Sequence, residues 1–307
     1  MSEPPYTGDP EATRRAALSP ILGVADFQPL SSAALVQFGA KSDTGLVAAA
    51  NDDNYLIMRM GRDQETVATS LSLTDVPQRF EERGYAMVVA DGLGPGGSGS
   101  VASRVALSTL AHLVVHFGKW NVRIDQNTAT DVFERAEWYY SQIDAAVRAR
   151  AQTSPELKCM TTALTAAYST GDELFVAHVG HSRAYLFRDG QLTLLTRDHT
   201  VAHHTSESQR PIPVERRALD LSHILTDAVG APGGYPMVEI DRFTLAHGDS
   251  VMLCTNGLTD MVSHDEIAEV LARRRKPQEQ CEALVDLANR HGGVDNVTVL
   301  LAEYHIR

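Results

Sequence analysis

Val179-Gly180-His181-Ser182-Arg183-Ala184-Tyr185-Leu186-Phe187-Arg188-Asp189-Gly190-Gln191-Leu192-Thr193-Leu194-Leu195 is the stretch on which the fold turns. Arg183 to Phe187 and Leu192 to Leu195 are short β-prone runs. Asp189-Gly190 between them is a dipeptide favoured by two-residue hairpin turns, where both central positions need positive φ. Just upstream, Thr161 to Tyr168 and Leu174 to Val179 have the same strand character, so the region reads as an antiparallel meander.

Working outward, Leu35 to Gly39 and Tyr55 to Met60 read as strands, and the apolar run Ala86 to Ala90 stops at Asp91. Gly99 to Phe117 and Ala129 to Arg150 carry apolar residues at helical spacing, among them Val101, Leu110 and Val114 in the first and Val132, Ile143 and Val147 in the second. Their apolar faces need a sheet to cover. Residues 206–217 are rich in Ser, Glu, Arg and Pro and read as a loop, after which Met237 to Leu245 and Ser250 to Cys254 return to strand character. Ser263 followed by Glu266 is a capping-box signal, the helix Pro277 to Arg290 ends before Gly292-Gly293, and Asn296 to Leu301 closes as a strand. Strands and helix pairs in this order predict an α+β fold of two central antiparallel β-sheets sandwiched between pairs of α-helices. Residues 1–30, proline-bearing and aperiodic, read as a flexible N-terminal extension, and residues 31–307 as one domain.

The 307 residues are 43% apolar, enough for a sizeable core. Lys and Arg number 27 against 39 Asp and Glu, a formal charge of −12, which argues against non-specific binding to nucleic acid or an anionic membrane. Three cysteines without a C-x-x-C pair indicate neither a disulfide framework nor a zinc site. The N-terminus lacks the basic and apolar regions of a secretory signal, and no stretch reads as a membrane span, so a cytoplasmic protein is expected.

Asp52-Asp53, Asp91-Gly92 and Asp295-Asn296 each stand in a turn-like context beside a predicted strand. Hard cations such as Mg²⁺ or Mn²⁺ take carboxylate, carbonyl and water oxygens, and strand ends hold such ligands rigidly. Asp and Asn are equally at home in turns, where their side chains bond nearby backbone, so spacing alone leaves both roles open.

The chain resembles the protein phosphatase 2C family through a series of segments in that family's order. Asn51-Asp52-Asp53-Asn54 is similar to its N-E-D-N box, and V-V-A-D-G-L-G-P-G-G-S-G-S-V-A-S at 88–103 to its D-G-M-G-G segment. Met160-Thr161-Thr162 stands where G-T-T is usual, and residues 179–200 resemble V-G-D-S-R-A-Y-L-x-R-D-G-x-L-x-x-L-T-x-D-H-S. I-L-T-D-A-V-G at 224–230, L-C-T-N-G-L-T-D-M-V at 253–262 and G-G-V-D-N-V-T-V at 292–299 complete the set. The resemblance implies a bacterial-type, metal-dependent serine/threonine protein phosphatase. Two Mn²⁺ or Mg²⁺ ions, or fewer, would activate a water that attacks the phosphorus of a phosphorylated protein substrate, with a Ser/Thr kinase as partner in signalling. By position it makes Asp91 the bridging ligand and central catalytic residue, Gly92 a carbonyl ligand, Asp295 and Asp52 carboxylate ligands, and Asp53 an acid acting through water.

Four positions depart from that pattern. Asn256 replaces a ligand Asp and offers a partial dipole in place of a full charge. His181 replaces an Asp of a third, looser metal site, where it is either a retuned ligand or a turn residue. Ala48 stands where many members carry a phosphate-gripping Arg; Arg59, Arg62 and Arg183 are candidate substitutes by general location, each also readable as an ordinary surface or structural residue. Leu93 replaces a proton-donating His of animal members. Bacterial-looking members carry Met at the Leu93 position, and it is Ala48, His181 and Asn256 that motivate an alternative, a pseudophosphatase acting as a regulatory or protein-binding module with weakened metal binding. His199, His203 and His204 read as a surface segment, since no Cys at zinc-ligand spacing accompanies them. His112 and His116 share a helix face without the Glu of an H-E-x-x-H motif, so packing or solvent is their expected setting. Ser98 and Ser100 resemble a phosphate-cradling loop but lack a following G-K-[ST].

Overall fold

The structure is a computed structural model that describes residues 34–72, 75–76, 78–118, 126–203 and 224–306. Among these, β1 (Ala34–Asp43), β2 (Asn54–Glu65) and β3 (Arg79–Leu93) precede helices α1 (Ser98–Phe117) and α2 (Gln126–Ala151). Strands β4 (Thr161–Thr170), β5 (Glu173–Val179), β6 (Arg183–Arg188), β7 (Gln191–Leu194), β8 (Glu239–Thr244) and β9 (Ser250–Cys254) follow. The one-turn helix α3 (Asn256–Thr259), α4 (His264–Ala272), α5 (Pro277–Arg290) and β10 (Val297–Ile306) complete the order.

The strands make two five-stranded antiparallel sheets, β1-β10-β9-β6-β7 and β2-β3-β4-β5-β8. Side chains alternate across each strand, and the alternation sorts the core into three layers. Cys254, Val299 and Leu301 face outward from the first sheet onto Ile267, Leu284 and Val285 of α4 and α5. Val88, Leu164 and Val179 face outward from the second onto Ala106, Leu110 and Ile143 of α1 and α2. Met87, Val89, Leu253 and Leu300 fill the space between the sheets, where Tyr304 Oη donates to Ser169 Oγ at 2.9 Å. This is the expected α+β sandwich. The capping box is present as read, with Ser263 Oγ accepting from the Glu266 amide and the Glu266 side chain returning to Ser263 N.

The meander expectation needs correcting. β4 pairs with β5 and β6 pairs with β7, but β5 and β6 lie in different sheets. Gly180-His181-Ser182 is the crossover between them. Gly180 sits at φ 109°, and a Cβ there would stand 2.4 Å from Ala163 Cβ, so glycine is required on both conformational and steric grounds. The hairpin turn is as read, with φ 51° at Asp189 and 81° at Gly190. β3 does not stop at Asp91, because Asp91, Gly92 and Leu93 continue its ladder against Ala163, Thr162 and Thr161. β10 likewise runs on to Ile306, paired along its whole length with β1.

Pro95–Phe117 does reach the length and apolar character of a membrane span, contrary to the sequence reading. Its valines, leucines and alanines give it that character; small residues, Ala102, Ser103 and Ala106, let the helix lie close against the sheet, and Leu107, Leu110 and Leu113 of the same helix are buried there. The expected extension at 1–30 and loop at 206–217 lie outside the described residues.

Candidate metal centre

At one end of the sandwich the inward-facing rows change from apolar to polar. On β3 the row Met87, Val89 continues to Asp91; next to β9 the row Val251, Leu253 continues to Thr255; on β10 Leu300 is preceded by Thr298. Asp53 enters the same space from the start of β2 and is buried, as is Asp91. Thr255 Oγ1 and Thr298 Oγ1 each donate to Asp53 Oδ2 at 2.8 Å. The first sheet thus fixes a carboxylate carried by the second.

Asp52 is held through its backbone. Its amide donates to Asn296 Oδ1 at 2.7 Å and its carbonyl accepts from Ser103 Oγ at 2.6 Å. Asn296 Nδ2 in turn donates to the carbonyls of Thr44 and Ala50 at 2.8 and 2.9 Å, tying the 44–53 loop to the start of β10. Gly92 and Gly99 approach so closely that a Cβ on Gly92 would lie 2.1 Å from Gly99 O and 2.7 Å from Asp52 O. A Cβ on Gly99 would come within 2.8 Å of Asp52 Oδ2. The glycines after Asp91 therefore serve helix-to-strand contact beside the acids. Thr162 Oγ1 donates to Asp91 O at 2.7 Å.

Burial pushes the Asp91 carboxyl well above the usual range, and the charges of Asp53, Asp295, Asp260 and Asp52 push it further. Asp53 is pushed up to about 7, by burial first, with its two threonine hydrogen bonds opposing and Asp295 and Asp52 adding. Asp52 is raised by burial and by Asp295, against a hydrogen bond from the Ser100 backbone. Asp91 Oδ2 and Asp52 Oδ1 are buried and have no hydrogen-bond partner among the described residues. His181 is buried, with Nδ1 3.6 Å from Asp91 Oδ2. Among the described residues no three His, Cys, Asp or Glu side chains close on a single point; the acids form a looser set, coupled through their charges. Acids gathered with bare buried oxygens are short of positive charge, and carboxylates, carbonyls and one imidazole suit hard or borderline divalent cations. The residues present fit such ions.

Of the residues singled out from sequence, Asp52, Asp53, Asp91, Gly92, His181 and Asp295 come together here. Asn256 joins the edge of the group, next to Thr255, with Nδ2 donating to Asp260 Oδ2 at 3.0 Å. Asp260, whose charge reaches Asp91, was missed, although its place four residues after Asn256 is the spacing of facing helical neighbours. Thr255, Thr298 and Asn296 were missed as well. The first polar residue to end an apolar row was the signal.

Among the candidate arginines, Arg183 and Arg62 have structural contacts. Arg183 is engaged in a two-pronged pair with Asp198, at 2.9 and 2.7 Å. Arg59 and Arg62 lie five and eight residues along β2 from Asn54, ~16 and ~26 Å at strand rise, and Arg62 lies over the Phe80 ring. His199 departs from the surface reading. Its ring packs 4.9 Å from that of the buried His178, and its amide donates to Gly180 O at 2.7 Å, so it supports the crossover. His204 lies outside the described residues. His112 is exposed and bonded to the Ser108 carbonyl within its own helix. Ser98 Oγ donates to Pro95 O at 2.8 Å, a turn contact.

Comparison with known proteins agrees with this geometry. The family model described as protein phosphatase 2C matches residues 75–289. The serine/threonine protein phosphatase PstP of Mycobacterium tuberculosis is 30% identical over 270 residues, 88% of this chain and 45% of the relative. The chain thus spans about half the length of that relative. The serine/threonine phosphatase stp of Listeria monocytogenes is 31% identical over 219 residues, 71% of this chain and 83% of the relative. A solved structure of the catalytic domain of PstP in complex with two manganese ions superposes with a TM-score of 0.66 at 29% identity, covering 89% of this chain and 99% of that one. With the family model matched across most of the described sandwich, and acids gathered where its inward rows end, the chain belongs to the protein phosphatase 2C family.

Proposed function

We propose that this chain is a metal-dependent serine/threonine protein phosphatase, hydrolysing phosphoserine and phosphothreonine in proteins with a pair of Mn²⁺ or Mg²⁺ ions. The observation that carries the reading is the buried Asp91 carboxylate, facing four other acids with Oδ2 unbonded. Asp91, Asp52, Asp53, Asp295 and the Gly92 carbonyl are the groups that would hold the ions, with His181 and Asn256 at a looser neighbouring position. Ions bound there supply a water of lowered pKa and neutralise charge developing on the phosphoryl oxygens. The chain's own part is to hold its acids in place: Thr255 and Thr298 fix Asp53, Asn296 and Ser103 fix Asp52, and Thr162 fixes the backbone at Asp91.

A solved relative that holds two manganese ions supports the choice of metal, and the names of the relatives support the enzyme over a regulatory module without chemistry. A Ser/Thr kinase that makes the phosphoprotein, and a cytoplasmic setting for three free thiols, complete the proposal. The test is turnover of p-nitrophenyl phosphate and a phosphothreonine peptide by the purified chain. Hydrolysis should require Mn²⁺ or Mg²⁺ and fall by about 100-fold or more in Asp91→Ala. Absence of turnover in every metal, or turnover unchanged in that variant, overturns the reading.

A further inference from the structure

Where α4 ends and α5 begins, Arg273-Arg274-Arg275-Lys276 sets four cations side by side in a chain whose formal charge is −12. All four are exposed. Among the described residues their side chains make no ion pair or hydrogen bond, not even with Glu269 and Glu279, the acids one helical turn away. Elsewhere Arg148, Arg183, Arg188 and Arg242 each meet a carboxylate. Here the positive charge stands open to solvent.

The turn does not need these charges to close. Basic side chains past a helix end often bond its last carbonyls, but here the buried Gln280 does so, with Nε2 donating to the carbonyls of Val270 and Leu271 at 3.4 and 3.0 Å. Arg274 sits at φ 46°, a conformation that suits glycine. Lys276 is the N-cap of α5, where its side chain makes no cap bond and its charge meets the positive end of the helix dipole. Two positions at which local rules favour Gly and Ser thus carry cations, which is the pattern of a surface kept for binding. The turn is held firmly, since Gln278 bonds both the amide and the carbonyl of Ala40. Guanidinium forks in such a row match carboxylates. The chain outside the run is more negative than the −12 of the whole, so a membrane or a nucleic acid, reaching well beyond a turn ~11 Å across, would set its charge against that acidic surface. A short acidic segment touches the turn alone.

We propose that this turn docks a short Asp- and Glu-rich segment of a partner protein, whose carboxylates meet Arg273, Arg274, Arg275 and Lys276. The turn lies about 20 Å along α5 from the loop that carries Asp295, so the docking site is independent of the metal centre. Amide NMR titration of the full isotope-labelled chain with hexaglutamate, beside neutral hexaglutamine, tests this. In ~0.1 M salt hexaglutamate should shift the amides of residues 273–276 with a Kd on the order of 1 mM, and hexaglutamine should leave them unmoved. A chain carrying Arg273→Gln, Arg274→Gly, Arg275→Gln and Lys276→Ser together should bind about tenfold or more weakly. Its Tm should hold or rise, because glycine fits the positive φ and serine caps α5. No shift up to ~20 mM hexaglutamate, an equal response to hexaglutamine, or binding unchanged in the fourfold variant would overturn the proposal. Tighter binding at these amides by a DNA duplex or by phosphatidylserine vesicles in the same salt would also overturn it, as would a variant Tm lowered by more than ~4 °C, which would make the run a structural device.

Discussion

Asp53 carries two threonine hydrogen bonds on one oxygen and still titrates near 7, because burial outweighs both. Its ordinary value is 3.8, so between these two pH values the folded chain keeps a proton that the unfolded chain has released. Stability from this group is therefore fullest below about 4 and falls as pH rises through 7. In chelator, Tm should decline across that window, and saturating Mn²⁺ should remove most of the decline, as differential scanning calorimetry at several pH values will report. Asn256 yields a second prediction. Its amide donates to Asp260, so Asn256→Asp exchanges a hydrogen bond for a like-charge contact while adding a full charge beside the acids. Mn²⁺ affinity should rise on the order of tenfold, while Tm without metal drops by about 2–4 °C. Equal or weaker Mn²⁺ binding on calorimetric titration would refute this account of Asn256. At this scale the acids were legible through the resemblance of the segments that carry them, since carboxylates beside strand ends suit a turn as well as a metal. Their supports were not, since a threonine at a strand end looks the same whether it faces solvent or an aspartate across the sandwich.

Among the elements, the crossover between β5 and β6 does most to assemble the site. The same three residues that move the chain from one sheet to the other deliver His181 to Asp91. Gly180→Ala forces a Cβ into positive φ and against Ala163, which should cost about 2–5 kcal/mol. Urea unfolding should show it, and an Mn²⁺ affinity that also falls would tie the crossover to the site. Sequence patterning located β4 to β7 to within two residues at every end, yet could not assign them to sheets. A strand buried on both faces, as β5 is, carries no polar side to reveal which neighbours it has. The hairpin Asp189-Gly190 was legible because its chemistry is local, whereas the continuation of β3 through Asp91 depends on pairing with β4, seventy residues away.

Across the whole molecule, the two sheets cooperate in a way that a single segment cannot show. The second sheet brings Asp53 and Asp91, the first brings the threonines and, at its edge, Asn256, and the loop before β10 brings Asp295 and Asn296 to clasp Asp52. The layered α+β architecture was legible because strands and helix pairs alternate in order. The convergence of distant acids at one end was legible only through the resemblance of segments, since spacing by itself fits turns equally well. The central claim is that this end of the sandwich holds a pair of divalent ions through Asp91. Calorimetric titration of the metal-free chain with Mn²⁺, beside Asp91→Ala, tests it most directly. The account predicts two ions per chain in the wild type and loss of at least one in the variant; no binding in the wild type, or an unchanged isotherm in Asp91→Ala, would contradict it.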